Sequence, residues 1–185
     1  MMRKVIFGIT ILAVLTHINP TYAKAREARV ESSAQPITAL ISDWSQFRAG
    51  IIAKTSQYDK YSNIKPGQLP GLRQSMIGKW NMVNSADDSG YRIHAILDLK
   101  KHHRFTYDYR IKAGNASQDW AFSGRWQEKN KILMLLISKS SYPGEASGNI
   151  LFWRLLQIGH DKLVYVSSST DRMQAMTRGN GIRGS

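Results

Sequence analysis

From residue 76 onward the chain is cut into short segments by clusters of turn residues, and this pattern restricts its fold more than any other feature does. Segments 77–84, 91–99, 104–112, 119–128, 131–138, 149–158, 162–168 and 172–178 read as strands, several of them alternating apolar and polar residues. The connections are Asp87-Asp88-Ser89-Gly90, Lys100 to His103, Gly114-Asn115, Lys129-Asn130, Gly159-His160-Asp161 and Ser168 to Asp171, with one longer loop around Pro143-Gly144. A parallel crossover needs about a dozen residues or more, so connections this brief join antiparallel neighbours. A meander of eight strands has two edges to protect, and closing it into a barrel removes both.

The alternation assigns faces. Phe105, Tyr107, Tyr109 and Ile111 share one side of their segment and Arg104, Thr106, Asp108 and Arg110 the other, while Trp120, Phe122 and Trp126 align in the next. The aromatic face points inward. Segments Ile132 to Ile137 and Ile150 to Ile158 are apolar on both faces apart from Arg154 and Gln157, and a strand apolar on its outside must be covered. The cover expected is an amphipathic helix over 36–54, where Ile37, Leu40, Ile41, Trp44, Phe47 and Ile51 recur at spacings of three and four. Trp44 and Phe47 are expected to pack on those strands; a dimer interface is the alternative cover. Residues 55–75 contain Pro66-Gly67 and Pro70-Gly71 and read as a loop.

The N-terminus reads as a secretory signal over 1–23: Arg3 and Lys4, an apolar run from Val5 to Leu15, then Thr21-Tyr22-Ala23 with cleavage after the alanine. A membrane span needs about 20 apolar residues, and His17, Asn19 and Pro20 interrupt this run. The expected location is periplasmic or extracellular after signal removal, without stable membrane insertion. Residues 24–35 read as a flexible leader and 179–185 as a disordered tail. The chain has no cysteine, so neither disulfides nor a lipidated N-terminal cysteine is available. Its net charge of +13 becomes +11 without Arg3 and Lys4. Outside the cytoplasm such a field selects lipopolysaccharide, anionic lipid head groups, acidic glycans or an acidic protein rather than nucleic acid; equally, it keeps a protein soluble. Only Lys100-Lys101-His102-His103-Arg104 forms a run of basic residues.

Gly78-Lys79-Trp80 opens the first strand, Gly124-Arg125-Trp126 stands in the fourth, and Ile132-Leu133-Met134-Leu135, Asp161-Lys162-Leu163-Val164 and a final strand ending at Arg178 follow. Over about residues 76–178 this resembles the small bacterial secreted lipocalin-like (calycin-type) β-barrel domains of unassigned function. The resemblance implies a barrel in which the first Gly-x-Trp tryptophan, Trp80, plugs one end and Arg178 matches the arginine that packs over it. The fold expected is therefore mainly β: a single antiparallel eight-stranded lipocalin-like barrel preceded by one amphipathic α-helix.

No catalytic signature emerges. There is no Gly-x-Ser-x-Gly elbow, no thiol and no Gly-rich phosphate loop. Asp98 and Asp108 read as outward and solvated. His94, His102, His103 and His160 lack zinc-motif spacing, and Lys100, Lys101 and Arg104 would repel a cation. No enzyme activity, cofactor or metal is expected. The inward aromatics Tyr107, Tyr109, Trp120, Phe122 and Trp126 are the candidate ligand-binding residues, because an eight-strand barrel either holds one small ligand or is filled by its side chains. Two functions follow. One is an exported noncatalytic binding protein for a small amphipathic or anionic ligand, with nearby arginines supplying charge. The other is a basic envelope interaction or inhibitor module that keeps a filled core and docks an acidic macromolecule.

Overall fold

The computed structural model describes residues 35–85, 91–143 and 146–179. The expected signal, most of the leader and most of the tail lie outside them. Eight antiparallel strands follow one another around a closed barrel: β1 (Gly78–Ser85), β2 (Tyr91–Leu99), β3 (Arg104–Ala113), β4 (Ala116–Lys129), β5 (Ile132–Ser140), β6 (Ile150–Ile158), β7 (Lys162–Ser167) and β8 (Met173–Arg178). Every strand pairs with the next, and β1 closes on β8 through Trp80 opposite Arg178 and Asn81 opposite Thr177. The tight β4–β5 return places Asn130 and Lys131 at positive φ, the geometry that matches strand twist in a two-residue hairpin.

Alternation fills the interior. Trp80, Met82, Leu97, Leu99, Phe105, Trp126, Leu133, Leu135, Trp153, Leu155 and Tyr165 form one buried cluster. Because β1 and the odd strands rise and the even strands descend, the hairpins fall at two poles. One pole is closed from below by Ile64, Leu72 and Met76, which join the interior cluster from the segment preceding β1. There Trp80 Nε1 donates to the Met76 carbonyl at 2.7 Å. The other pole is the mouth.

Two glycines are dictated by close approach. Gly78 has φ +128°, and a Cβ there would lie 2.8 Å from Arg178 Nη1. Gly124 sits at a register shift between β4 and β5, where a Cβ would lie 2.0 Å from the Leu136 carbonyl oxygen.

The helical cover is divided. In place of one helix over 36–54, a 3-10 turn (Ile37–Leu40) precedes α1 (Trp44–Lys54), which begins where the Asp43 carboxylate accepts the Gln46 N–H at 3.0 Å. That cap sets the helix start and forces the chain to bend before it. The turn and α1 cover the outward residues Ile132, Met134 and Leu136 of β5 with Ile37 and Ile51, joined by Trp44, Ile150 and Phe152. The Phe47 and Phe152 ring centroids are 4.6 Å apart. The segment 55–75 also differs from a plain loop: it contains 3-10 turns at Ser56–Tyr61 and Pro66–Gly71 and a short helix, α2 (Leu72–Met76). Tyr58, in the first of these turns, packs on the outward residues Leu156, Val164 and Val166 of β6 and β7. Arg154 ties both covers to the wall, donating to the Thr55 carbonyl at 2.8 Å and pairing with Asp59.

Candidate functional site

The inward residues of the upper barrel converge on the mouth. Tyr107 and Tyr109 of β3 face Phe122 and Trp120 of β4 in direct register. Trp153 of β6 stands against Tyr107 edge-on at 5.5 Å, and Tyr142, from the β5–β6 loop, meets Trp120 edge-on at 5.0 Å. The Tyr109 and Trp120 rings stack at 5.8 Å with a 12° interplanar angle, and Trp153 stacks on Tyr165 at 4.1 Å. Offset and edge contacts of this kind fix ring positions.

These rings bound a cavity of about 110 Å³ that opens at the mouth, with Ser167, Ser169, Thr170 and Gln174 on its polar side. Ser167 and Ser169 hydroxyls bond to each other at 2.8 Å. Below it the barrel is filled. Pockets that enclose drug-sized ligands span about 300–1,000 Å³, so this one has room for no more than a single ring or the end of a longer molecule.

The site is electrically neutral. Burial raises the Tyr107 phenol well above its ordinary range, with Tyr109 adding to the effect, and burial raises Tyr109 as well. Tyr165, fully buried beneath them, is raised first by burial and then by Tyr107 and Tyr109. All three stay protonated at physiological pH. The Tyr165 hydroxyl has no hydrogen-bond partner among the described residues. No arginine lines this cavity: Arg104 and Arg110 alternate with the inward residues of β3 and are exposed, and Arg110 pairs with Asp119 on the outer wall. Strand periodicity places them there, so an anionic group would find no guanidinium inside.

Of the residues expected to bind ligand, Tyr107, Tyr109, Trp120 and Phe122 line one cavity and Trp126 does not. β4 descends from the mouth, and six residues of strand carry Trp126 about 20 Å from Trp120 toward the closed pole. There it is buried, its Nε1 donating to the Lys100 carbonyl at 3.0 Å and its ring 5.4 Å from that of His103. Sequence reasoning missed Trp153 and Gln174, whose segments carry no clean alternation, and Tyr142, Ser169 and Thr170, which come from loops.

No family model matches the chain, and no curated protein matches it.

A second concavity of about 490 Å³ lies open along β2–β4, lined by His94, Asp108, Arg110 and Asp119 together with Tyr109 and Trp120. Among the described residues no group of three His, Cys, Asp or Glu side chains is placed to hold a metal ion. Among them, too, no helix is long and apolar enough to cross a membrane.

Proposed function

We propose that this protein is an exported, noncatalytic binding protein of lipocalin-like type that takes the apolar ring end of a small amphipathic ligand at the barrel mouth. The observation that carries this reading is the mouth cavity, walled by Tyr107, Tyr109, Trp120, Phe122 and Trp153 and free of charged side chains. Aromatic walls give contact area at little entropic cost, while neutral hydroxyls at one side orient the guest. A charged head group belongs at the rim, in water. Export rests on the basic, apolar and small-residue pattern of residues 1–23. The lipocalin-like assignment is supported by the up-and-down closed sheet and by Arg178 over Trp80, with the guanidinium carbon 4.3 Å from the ring centroid.

Titration with anilinonaphthalene sulfonate, an aromatic amphiphile, tests the site by probe fluorescence and tryptophan quenching. Trp120→Ala removes a wall and is expected to weaken binding roughly tenfold, the size of one lost aromatic contact. Native mass spectrometry of protein purified from its own compartment provides the second arm. No probe binding together with no copurified ligand defeats the proposal and leaves the filled interaction module, which the packed lower barrel favours.

A further inference from the structure

Alternating strand direction sorts the loops into two poles, and it also sorts charge. Lys65, Arg73, Lys100, Lys101, Arg104 and Lys129 come from sequence positions far apart, yet all are exposed and all lie at the closed pole. The hairpin holding Lys100 and Lys101 is bonded to β4, since the Trp126 N–H donates to the His103 carbonyl at 2.7 Å. Arg104 stands directly across from Arg125, whose Nη2 donates to the Gln35 carbonyl at 2.6 Å. Lys131 Nζ donates to the Ile64 carbonyl at 2.9 Å and so links the β4–β5 hairpin to the segment bearing Lys65.

Few acids offset these cations. Asp98 is opposite Lys79 on the outer face, the Glu128 carboxylate accepts the Lys131 N–H, and Asp161 is exposed in the β6–β7 turn. The ion pairs Lys54–Asp171, Arg110–Asp119 and Arg154–Asp59 involve none of the six. At the same pole Leu69, in the segment that leads into the closing plug, is 39 % exposed.

We infer that the closed pole docks on the phosphate-bearing surface of an anionic lipid bilayer, its cations meeting head groups while Leu69 enters the interface. Lys100, Lys101, Arg104 and Lys129 stand at or beside hairpin turns and Lys65 and Arg73 on the plug segment, an arrangement around one end rather than along a groove, which suits a plane better than a nucleic-acid strand. An exposed leucine flanked by Lys65 and Arg73 gains from a membrane interface and nothing from a water-borne polyanion. Docked in this way, the barrel holds its mouth away from the lipid.

Cosedimentation of the full chain with phosphatidylcholine vesicles, and with vesicles that also contain phosphatidylglycerol, tests this. Capture by the anionic vesicles alone is expected, and it weakens as salt rises. Each lost cation costs about fivefold in partition, so Lys100→Gln/Lys101→Gln/Arg104→Gln together lower it roughly a hundredfold. Arg92→Gln/Lys112→Gln, at the mouth pole, leaves capture unchanged, and Leu69→Ser weakens it at every salt concentration. Equal capture of the triple variant and the parent overturns the inference. So does equal capture by the two vesicle types, or capture by a DNA duplex without capture by anionic vesicles. Anilinonaphthalene sulfonate titration of the triple variant stays at the parent value, which separates this result from that of the mouth site.

Discussion

Arg178 lies over Trp80: its guanidinium carbon is 4.3 Å from the indole centroid, and its Nη1 and Nη2 donate to the Ile77 and Ser75 carbonyls at 2.9 and 2.7 Å. One side chain at the end of the last strand thereby fastens the plug, the first strand and the β6–β7 turn, where Nε bonds the His160 carbonyl. Arg178→Ala is expected to cost about 2 kcal/mol, the sum of a cation–π contact and the net worth of those hydrogen bonds. Arg178→Lys keeps the charge but not the planar fork, so it recovers only part of the loss. Urea denaturation of the three proteins gives the comparison, and equal stability of parent and alanine variant would refute the clamp.

Gly124→Ala tests the bulge. The new methyl would meet the Leu136 carbonyl oxygen and the Ser138 nitrogen, both backbone, and neither can rotate away. Separation of β4 from β5 is the expected relief, with a loss of about 3 kcal/mol or more. A thermal melt within a degree or two of the parent would show that the strands slide freely there, contrary to this reading.

The outer cover buries the outward residues of β5 as fully as the interior buries its own. Met134 is fully buried although it points out of the barrel, held by Ile37 and Ile51. Met134→Ala is expected to cost about 3 kcal/mol and to speed proteolytic cleavage within 37–54. Unchanged protease resistance together with unchanged stability would mean that the cover does not depend on this contact.

Glu128 sets a pH dependence of definite sign. Burial raises its carboxyl above the ordinary value of 4.5, outweighing the opposing hydrogen bond from the Lys131 N–H. The folded state therefore favours the protonated acid, so its stabilising contribution is complete below pH 4.5 and is lost as pH rises through the folded value. Glu128→Gln keeps the acceptor oxygen without the charge. Melting curves should show the variant above the parent at neutral pH, with the gap closing below 4.5; a gap of the reverse sign refutes the argument.

At alkaline pH the buried phenols act in the same sense. Tyr107 and Tyr165 are raised above 10.0, chiefly by burial. Their contribution to stability is present below pH 10.0 and lost above it, because the unfolded chain ionises first. Ultraviolet titration should show these phenols resisting ionisation until the chain unfolds. Ionisation of every tyrosine near pH 10 with the fold intact would contradict the burial.

The barrel was legible because of period-two alternation in β3 and the brevity of turns such as Lys129-Asn130, which the structure places one residue later at Asn130-Lys131. β5 was legible for a different reason, since Ile132, Met134 and Leu136 are apolar on the side that should face water and therefore demand a cover. The form of that cover was not, because an i, i+3, i+4 spacing from Ile37 to Ile51 persists across the bend that Asp43 imposes. Proline and glycine in 66–71 marked a break in regular structure, but the plug they lead into depends on Ile64, Leu72 and Met76 finding the interior. At the mouth, alternation reveals Tyr107, Tyr109, Trp120 and Phe122, whereas depth along a strand does not show in periodicity, so the sequence does not separate Trp126 from them. Charge segregation arises from strand direction and from where the plug segment docks, and is invisible to composition.

The ladder between β1 and β8 spans only Trp80 and Asn81, both near the closed pole. Above it Gln174 lines the cavity from a strand whose ladder partner there is β7. The barrel thus resembles a cuff fastened at one end: among the described pairings β8 is held beside the mouth by β7 alone, so parting the wall there would break few ladder bonds.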